Sequence, residues 1–317
     1  MVSSPSTRCL WPDLMRDHNT AEPGEPGVPV PVPVPVPGSE SVPGPGVQRP
    51  GFDELFKLQP TASPTRWVCE YPRLVLTPRN TLQGGAGLAA ALLATEAVVG
   101  RPTVWATAQY LSFAEGTEPV ELEVAVEVAG HMTTQARCVV TRHGVEILTA
   151  HIALGVRPFG PDRTWVTPPV VPPPLECPPF DYFVGGRGDL GDLTDIRLAL
   201  GRQTRELRGS PGSSNSARWC RVTPARHVVG VGEIAFIGDL LPMSFCEPYG
   251  AEYHGSSIDN TVRFGCRAET EWVLLDCRLE QVANGFGHGH AYLWSEDGQL
   301  LGTASQTMVM RIANPAD

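Results

Sequence analysis

The run GGAGLAAALLATEAVVG at Gly84–Gly100 constrains this chain more than any other feature. It reads as one helix rich in Ala and Leu and apolar on nearly every face, so it has to be covered on most sides. Thr95 and Glu96 interrupt its apolar stretch, and it falls short of the 18 or so residues of a membrane span. Such a helix needs a layer wrapped round it, and the next runs can supply one. Val104–Ala114, Val120–Ala129, Met132–Arg142 and Val145–Leu154 are strand-like, and His143-Gly144 is a tight hairpin signal between the last two. A short helix in FDELF and a β-prone run, Arg66–Tyr71, precede the helix.

The same order recurs further on. Asp195–Leu200 and Ala217–Pro224 read as strands, and the unusually apolar segment His227–Met243 takes the helix position. Ser256–Arg267, Trp272–Ala283, Gly287–Glu296 and Leu300–Arg311 follow as strands, with SEDGQ turning between the last two. Two stretches of about 100 residues with one element order point to duplication of structure, although the letters agree poorly. A helix wrapped by a curved antiparallel sheet is the hotdog arrangement. The expected fold is therefore α+β: a double hotdog, two tandem repeats of a long central helix wrapped by sheet.

Proline marks the boundaries. Of 32 prolines, 12 fall in residues 1–51 and 9 in residues 156–180. The alternating Val-Pro of Pro26–Gly38 removes every second backbone donor and favours an extended polyproline helix. This predicts a disordered Pro-rich tail over 1–51, a first hotdog over 52–155, a Pro-rich linker over 156–180 and a second hotdog over 181–317.

Composition removes several function classes. The formal net charge is −10 with only 24 Lys plus Arg, which argues against a nucleic-acid partner. An anionic ligand is still allowed, provided its contacts are local. The N-terminal MVSSPSTRCLWPDLMRDHN has no apolar core segment, so neither a secretory signal nor a membrane span is expected. Eight cysteines without a Cys-x-x-Cys pair read as reduced, mostly buried thiols in a cytoplasmic protein.

Three polar residues stand out, two of them from apolar surroundings. Asp239 lies in AFIGDLLP, Ser257 in the strand-like SSIDNTVRF with Asp259 two positions on, and Gln306 in the terminal strand TASQTMVM. Each is readable as a site residue, or as a cap or buried polar group satisfied by its neighbours. His288 and His290 share a strand face but lack a third ligand at a useful spacing, so no metal is expected. A G-x-S-x-G nucleophile elbow does not occur.

The same residues carry a family resemblance. SIDNTVRF (Ser257–Phe264), EWVLLD (Glu271–Asp276) and DGQLLGTASQTMVMR (Asp297–Arg311) resemble the C-terminal signatures of the TesB-type acyl-CoA thioesterases. LQGGAGLAAALLATEAV resembles the glycine-led helix of their N-terminal hotdog, and the likeness spans roughly residues 52–312. The resemblance implies an acyl-CoA hydrolase of lipid metabolism, acting without a cofactor through a water held by a helix Asp, a strand hydroxyl and a last-strand Gln. Those positions are Asp239, Ser257 (Thr is commoner in the family) and Gln306. Backbone N–H groups at helix starts, near Gly84, Gly85 and Gly232, would stabilise the oxyanion. Related double hotdogs often pair further, so a homo-oligomer is also implied.

The chain departs from the family near this site. Ile237 and Gly238 replace polar or aromatic residues, Asn260 stands where His is common, Arg263 replaces an aromatic, and QGG replaces GGQ. The alternatives are a hotdog that binds an acyl chain or acyl-CoA without turnover, and a hotdog enoyl-CoA hydratase. The latter carries G-D-x-N-P-x-H, whereas this chain has Gly238-Asp239-Leu240-Leu241-Pro242-Met243-Ser244 and so lacks the His that hydration needs.

Overall fold

Ala and Leu on every face of the first helix do lead to burial. α1 (Gly84–Val99) has ten of its sixteen residues buried, and Gly100 ends it in the left-handed conformation, φ 68°. The computed structural model describes residues 51–157, 162–183, 189–222, 229–251 and 253–312. The tail with its Val-Pro repeat, Cys9 and His227 lie outside them.

The first half runs from a 3₁₀ turn (Phe52–Leu55) through β1 (Lys57–Pro60), β2 (Arg66–Glu70) and α1 to β3 (Thr103–Tyr110), β4 (Val120–Ala129), β5 (Thr133–Arg142) and β6 (Val145–Gly155). The second half comprises α2 (Leu190–Leu193), β7 (Thr194–Leu200), β8 (Asn215–Val222), α3 (Val231–Gly238) and α4 (Cys246–Tyr249), then β9 (Tyr253–Ser257), β10 (Asp259–Phe264), β11 (Val273–Ala283), β12 (Phe286–Trp294) and β13 (Leu300–Ile312). All strands belong to one antiparallel sheet in the order β1-β2-β4-β5-β6-β3-β10-β13-β12-β11-β8-β7, with β9 paired to β13 off that path. The halves join where β3 meets β10, with Gln109 opposite Asp259 and Ala108 opposite Asn260.

Alternation on the strands sends apolar side chains to the helical face. Leu122, Val124, Cys138, Val140, Leu148 and Ile152 join α1 and α3 in one core. The β5–β6 hairpin turns on His143 and Gly144, both at positive φ (51° and 75°), as a two-residue hairpin demands. Asn284 and Gly285 make the same turn between β11 and β12, at 53° and 79°. No helix among the described residues is long and apolar enough to cross a membrane.

Two expectations need correction. The second helix is short: α3 covers eight residues, and the chain then passes through Asp239 into a 3₁₀ turn at Leu241–Phe245. Gly238 weakens the helix, and Pro242 has no N–H to continue it. Asp239 thus caps the C-terminal end of α3 rather than lying inside a long helix. The strand expected over Ser256–Arg267 is two strands, broken at Ile258. The described residues of the Pro-rich stretch make specific contacts. Trp219 donates its indole N–H to the Pro172 carbonyl at 2.9 Å, Val166 and Val171 pack on a cluster that includes Trp272 and Trp294, and Pro179 bridges to Arg197 on the β7 edge. The seven described cysteines are free thiols, all buried except Cys266.

Candidate active site

Where the N-terminus of α1 meets the end of α3, the helices approach so closely that only glycine fits. A Cβ on Gly85 would stand 2.6 Å from the Ala235 carbonyl oxygen and 2.6 Å from Asp239 Cβ. The carboxylate of Asp239 bridges the two helix ends. Its Oδ2 accepts the Gly85 N–H at 2.7 Å and the Gln83 side-chain N–H at 2.6 Å. Gln83 caps α1, and its own Oε1 accepts the Ala86 N–H at 2.7 Å, which fixes the orientation of the amide. An anion here lies at the positive end of the α1 dipole.

Oδ1 faces the sheet. It accepts Gln306 Nε2 at 2.5 Å, the Tyr110 hydroxyl at 3.4 Å and Asn260 Nδ2 at 3.5 Å. Gln306 then accepts the Ser257 hydroxyl on its Oε1 at 3.3 Å. Asp239, Ser257 and Gln306 are therefore one connected network, although 67 residues separate the first from the last.

The break at Ile258 makes this possible. Asp259 Oδ1 accepts the Thr307 N–H at 2.8 Å, and Ile258 N–H bonds to the Thr307 carbonyl at 2.9 Å. These bonds carry the chain across the break, so that β9 pairs with Met308–Ile312 and β10 with Gly302–Ser305 along one edge of β13. Ser257 and Asn260 consequently stand on the two sides of the break, Ser257 bonded to Gln306 and Asn260 to Asp239.

A cavity of about 440 Å³ opens onto Asp239, within the range of small-molecule sites. Asp239, Ser257, Tyr110, Gln83 and Gly84 stand on its polar wall, while Leu82, Ile147, Leu148, Leu240 and Met243 make it mainly apolar. Arg79 and the 68 %-exposed Phe113 also line it. Gln306 and Asn260, 3 % and 0 % exposed, are behind this wall.

Burial pushes the Asp239 carboxyl up to about 7, against the lowering effect of the bonds from Gly85, Gln306 and Tyr110. Burial, and next the charge of Asp239, hold the Tyr110 phenol well above its usual range. A carboxyl titrating near neutrality beside an apolar cavity can take a proton from water and return it to a leaving group.

The glycines expected to supply oxyanion donors are divided among three situations. Gly84 is on the cavity wall, and its amide takes no hydrogen-bond partner among the described residues. Gly85 has its N–H bound to Asp239 and cannot also serve an oxyanion. Gly232 lies elsewhere, at the start of α3, where a Cβ would stand 2.5 Å from the Asp53 carboxylate. His288 and His290 go to separate partners, Thr307 at 3.2 Å and Glu280 at 2.8 Å.

Tyr110 was not found by sequence reasoning, and Gln83 (the Gln of QGG) and Asn260 were noted only as departures from the family. Gln83 had one available signal: Gln is an unusual N-cap where Ser, Thr, Asp or Asn is preferred.

Residues 174–310 match the sequence model of the family described as acyl-CoA thioesterase C-terminal domain. Among solved structures, the chain is similar to a provisionally assigned thioesterase from Novosphingobium aromaticivorans, with 27 % identity and a TM-score of 0.70 over 80 % of this chain and 98 % of that one. It shares its fold with a hot dog protein from Alicyclobacillus acidocaldarius (19 % identity, TM-score 0.73, 83 % and 98 % covered). It does so as well with an acyl-CoA thioesterase II from Mycobacterium marinum (19 % identity, TM-score 0.66, 83 % and 99 % covered). No curated protein sequence matches the chain. Residues 174–310 are thus similar to the acyl-CoA thioesterase C-terminal domain family, and the chain that carries them has the hotdog fold.

Proposed function

We propose that this chain hydrolyses acyl-CoA to a fatty acid and CoA, with Asp239 as the base that activates water. The observation that carries the reading is the carboxyl poised near pH 7 on the wall of an apolar cavity, linked to Ser257 through Gln306. Water held by Ser257 and Asp239 attacks the thioester carbonyl, and its proton passes to Asp239. Gln306 stands behind both groups and orients them. The Gly84 N–H, at the positive end of α1, stabilises the developing oxyanion. When the tetrahedral intermediate collapses, the thiolate leaves and takes the proton back from Asp239.

The reading extends to the whole architecture. Each half contributes one helix and a set of strands to the common sheet, an arrangement compatible with a double hotdog whose second helix has shortened. The domain limits of 52–155 and 181–317 remain part of this proposal, as does a cytoplasmic setting and pairing into a homo-oligomer. Arg79, the cationic residue on the cavity lining, supports an anionic thiol carrier on an otherwise acidic protein.

Release of free thiol from a panel of acyl-CoA substrates of increasing chain length tests the reading, with the parent protein compared against Asp239→Asn. Hydrolysis by the parent and its loss in the variant are expected. Saturable acyl-CoA binding without thiol release would make the chain a binding module, and equal rates in both proteins would remove Asp239 from the base position.

A further inference from the structure

We infer that the Tyr110 hydroxyl is a second oxyanion donor, acting together with the Gly84 N–H on the same thioester carbonyl oxygen. The inference rests on the thioester-hydrolysis reading of the Asp239 site and assigns a catalytic role to a residue that reading leaves unused. Three geometric observations carry it.

First, Tyr110 stands on the cavity wall at the C-terminal end of β3, beside Gly84. Its ring covers the Gly84 Cα so closely that a Cβ there would lie 2.8 Å from Tyr110 Cζ and 3.0 Å from its hydroxyl oxygen. The phenol and the uncommitted amide therefore address one small patch of the cavity. Secondly, the neighbouring amides are already engaged, Gly85 by Asp239 and Ala86 by the Gln83 side chain. One backbone donor alone remains at the start of α1, and an oxyanion has room for a second hydrogen bond. Thirdly, the bond from Tyr110 to Asp239 is long, 3.4 Å, next to the 2.5 Å bond from Gln306 on the same oxygen. Asp239 loses little when Tyr110 turns away.

Charge movement during the reaction gives that turn a cause. As the water oxygen bonds to the carbonyl carbon, the water proton goes to Asp239 and the carbonyl π pair moves onto oxygen. Negative charge leaves the carboxylate and appears on the substrate. A neutral carboxylic acid accepts hydrogen bonds less strongly than an alkoxide, so the phenolic O–H follows the charge. On collapse the C–S bond breaks, the thiolate takes the proton from Asp239, and Tyr110 returns to the regenerated carboxylate. The products are a fatty acid and the free thiol, and Tyr110 keeps its own proton throughout.

The test is Tyr110→Phe, which retains the ring over Gly84, followed by thiol release from acyl-CoA across pH 5.5–9. Loss of one oxyanion-hole donor costs about 10²–10³-fold in kcat, so a fall of about 10²-fold on the high-pH plateau is expected, with KM little changed. Circular dichroism melting of parent and variant accompanies the assay. Should Tyr110→Phe fail to fold, 3,5-difluorotyrosine at the same position replaces it: an oxyanion donor makes the plateau kcat change with phenol acidity. An unchanged plateau in either protein overturns the proposal, including the case in which only the midpoint of the pH profile moves, because Tyr110 would then merely position Asp239. Asp239→Asn run alongside separates the two readings. Parental activity in that variant defeats the assignment of the base, whereas its inactivity with a parental plateau in Tyr110→Phe defeats only the role of Tyr110.

Discussion

The Gly85 N–H lies 2.7 Å from Asp239 Oδ2, so one carboxylate ties the start of the first helix to the end of the second. The contact needs glycine: a Cβ at position 85 would press on the backbone of Ala235 as well as on Asp239. Gly85→Ala is expected to lower stability by about 1–3 kcal/mol through overpacking and to abolish thiol release, because the helices have to separate. Denaturant midpoints and acyl-CoA turnover measured on one preparation check this. A fully active Gly85→Ala would mean that the helix spacing is not what places the base.

A base that titrates at about 7 sets the sign of the pH dependence. Only the ionised carboxylate accepts the water proton, so kcat/KM should rise about tenfold per pH unit below 7 and level off above it. Stability runs the other way. The folded carboxyl is raised above its unfolded value of about 4, so the folded state binds the extra proton, and stability falls as pH climbs from about 4 to about 7. Asp239→Asn should lose the rate profile and that part of the stability slope together. Rate measurements and urea melts at pH 5, 6, 7 and 8 test both signs.

Local pattern made part of this site legible. Asp239 and Gln306 are polar residues in apolar runs, Ser257 lies in a strand-like run, and Gly84-Gly85 opens a helix with no polar face; each can be seen within ten residues of sequence. Gln83 and Tyr110 could not be found in that way. They reach Asp239 across 156 and 129 residues, through the packing of α1 on α3 and the pairing of β3 with β10. Sequence periodicity reports which face of an element is buried, but not which strands from two halves become neighbours. The short second helix is hidden in the sequence for a related reason. Apolar composition continues through Leu241–Met243, yet Gly238 and Pro242 decide where the helical hydrogen bonds stop.

Gln306 has an effect that is separable from simple contact. Its amide N–H gives Oδ1 of Asp239 the shortest of its three bonds and holds the carboxyl below where burial alone would put it. Gln306→Glu exchanges that donor for an acid beside the first one. Two carboxyls in one buried site cannot both ionise readily, so the rate profile should move to higher pH, by at least about one unit, and split into two apparent ionisations. Gln306→Met removes the donor without adding charge and should move the midpoint up by less. A profile unaffected by either change would place Gln306 outside the network that tunes the base.

Arg79 offers a test of the thiol carrier that leaves the chemistry alone. It is exposed, it lines the cavity that opens onto Asp239, and the chain around it has a net charge of −10. If the phosphates of CoA cross this rim, Arg79→Glu exchanges an attraction for a repulsion outside the reacting atoms. KM for acyl-CoA should rise by about three- to tenfold at 20 mM salt with kcat unchanged, since an exposed charge pair is worth on the order of 1 kcal/mol. The difference should fade as salt approaches 1 M, where the Debye length has shrunk to about 3 Å. An acyl thioester of N-acetylcysteamine, which has the thioester but no phosphate, should be hydrolysed alike by parent and variant. Equal KM values for acyl-CoA at 20 mM salt would show that the carrier leaves the cavity by another side.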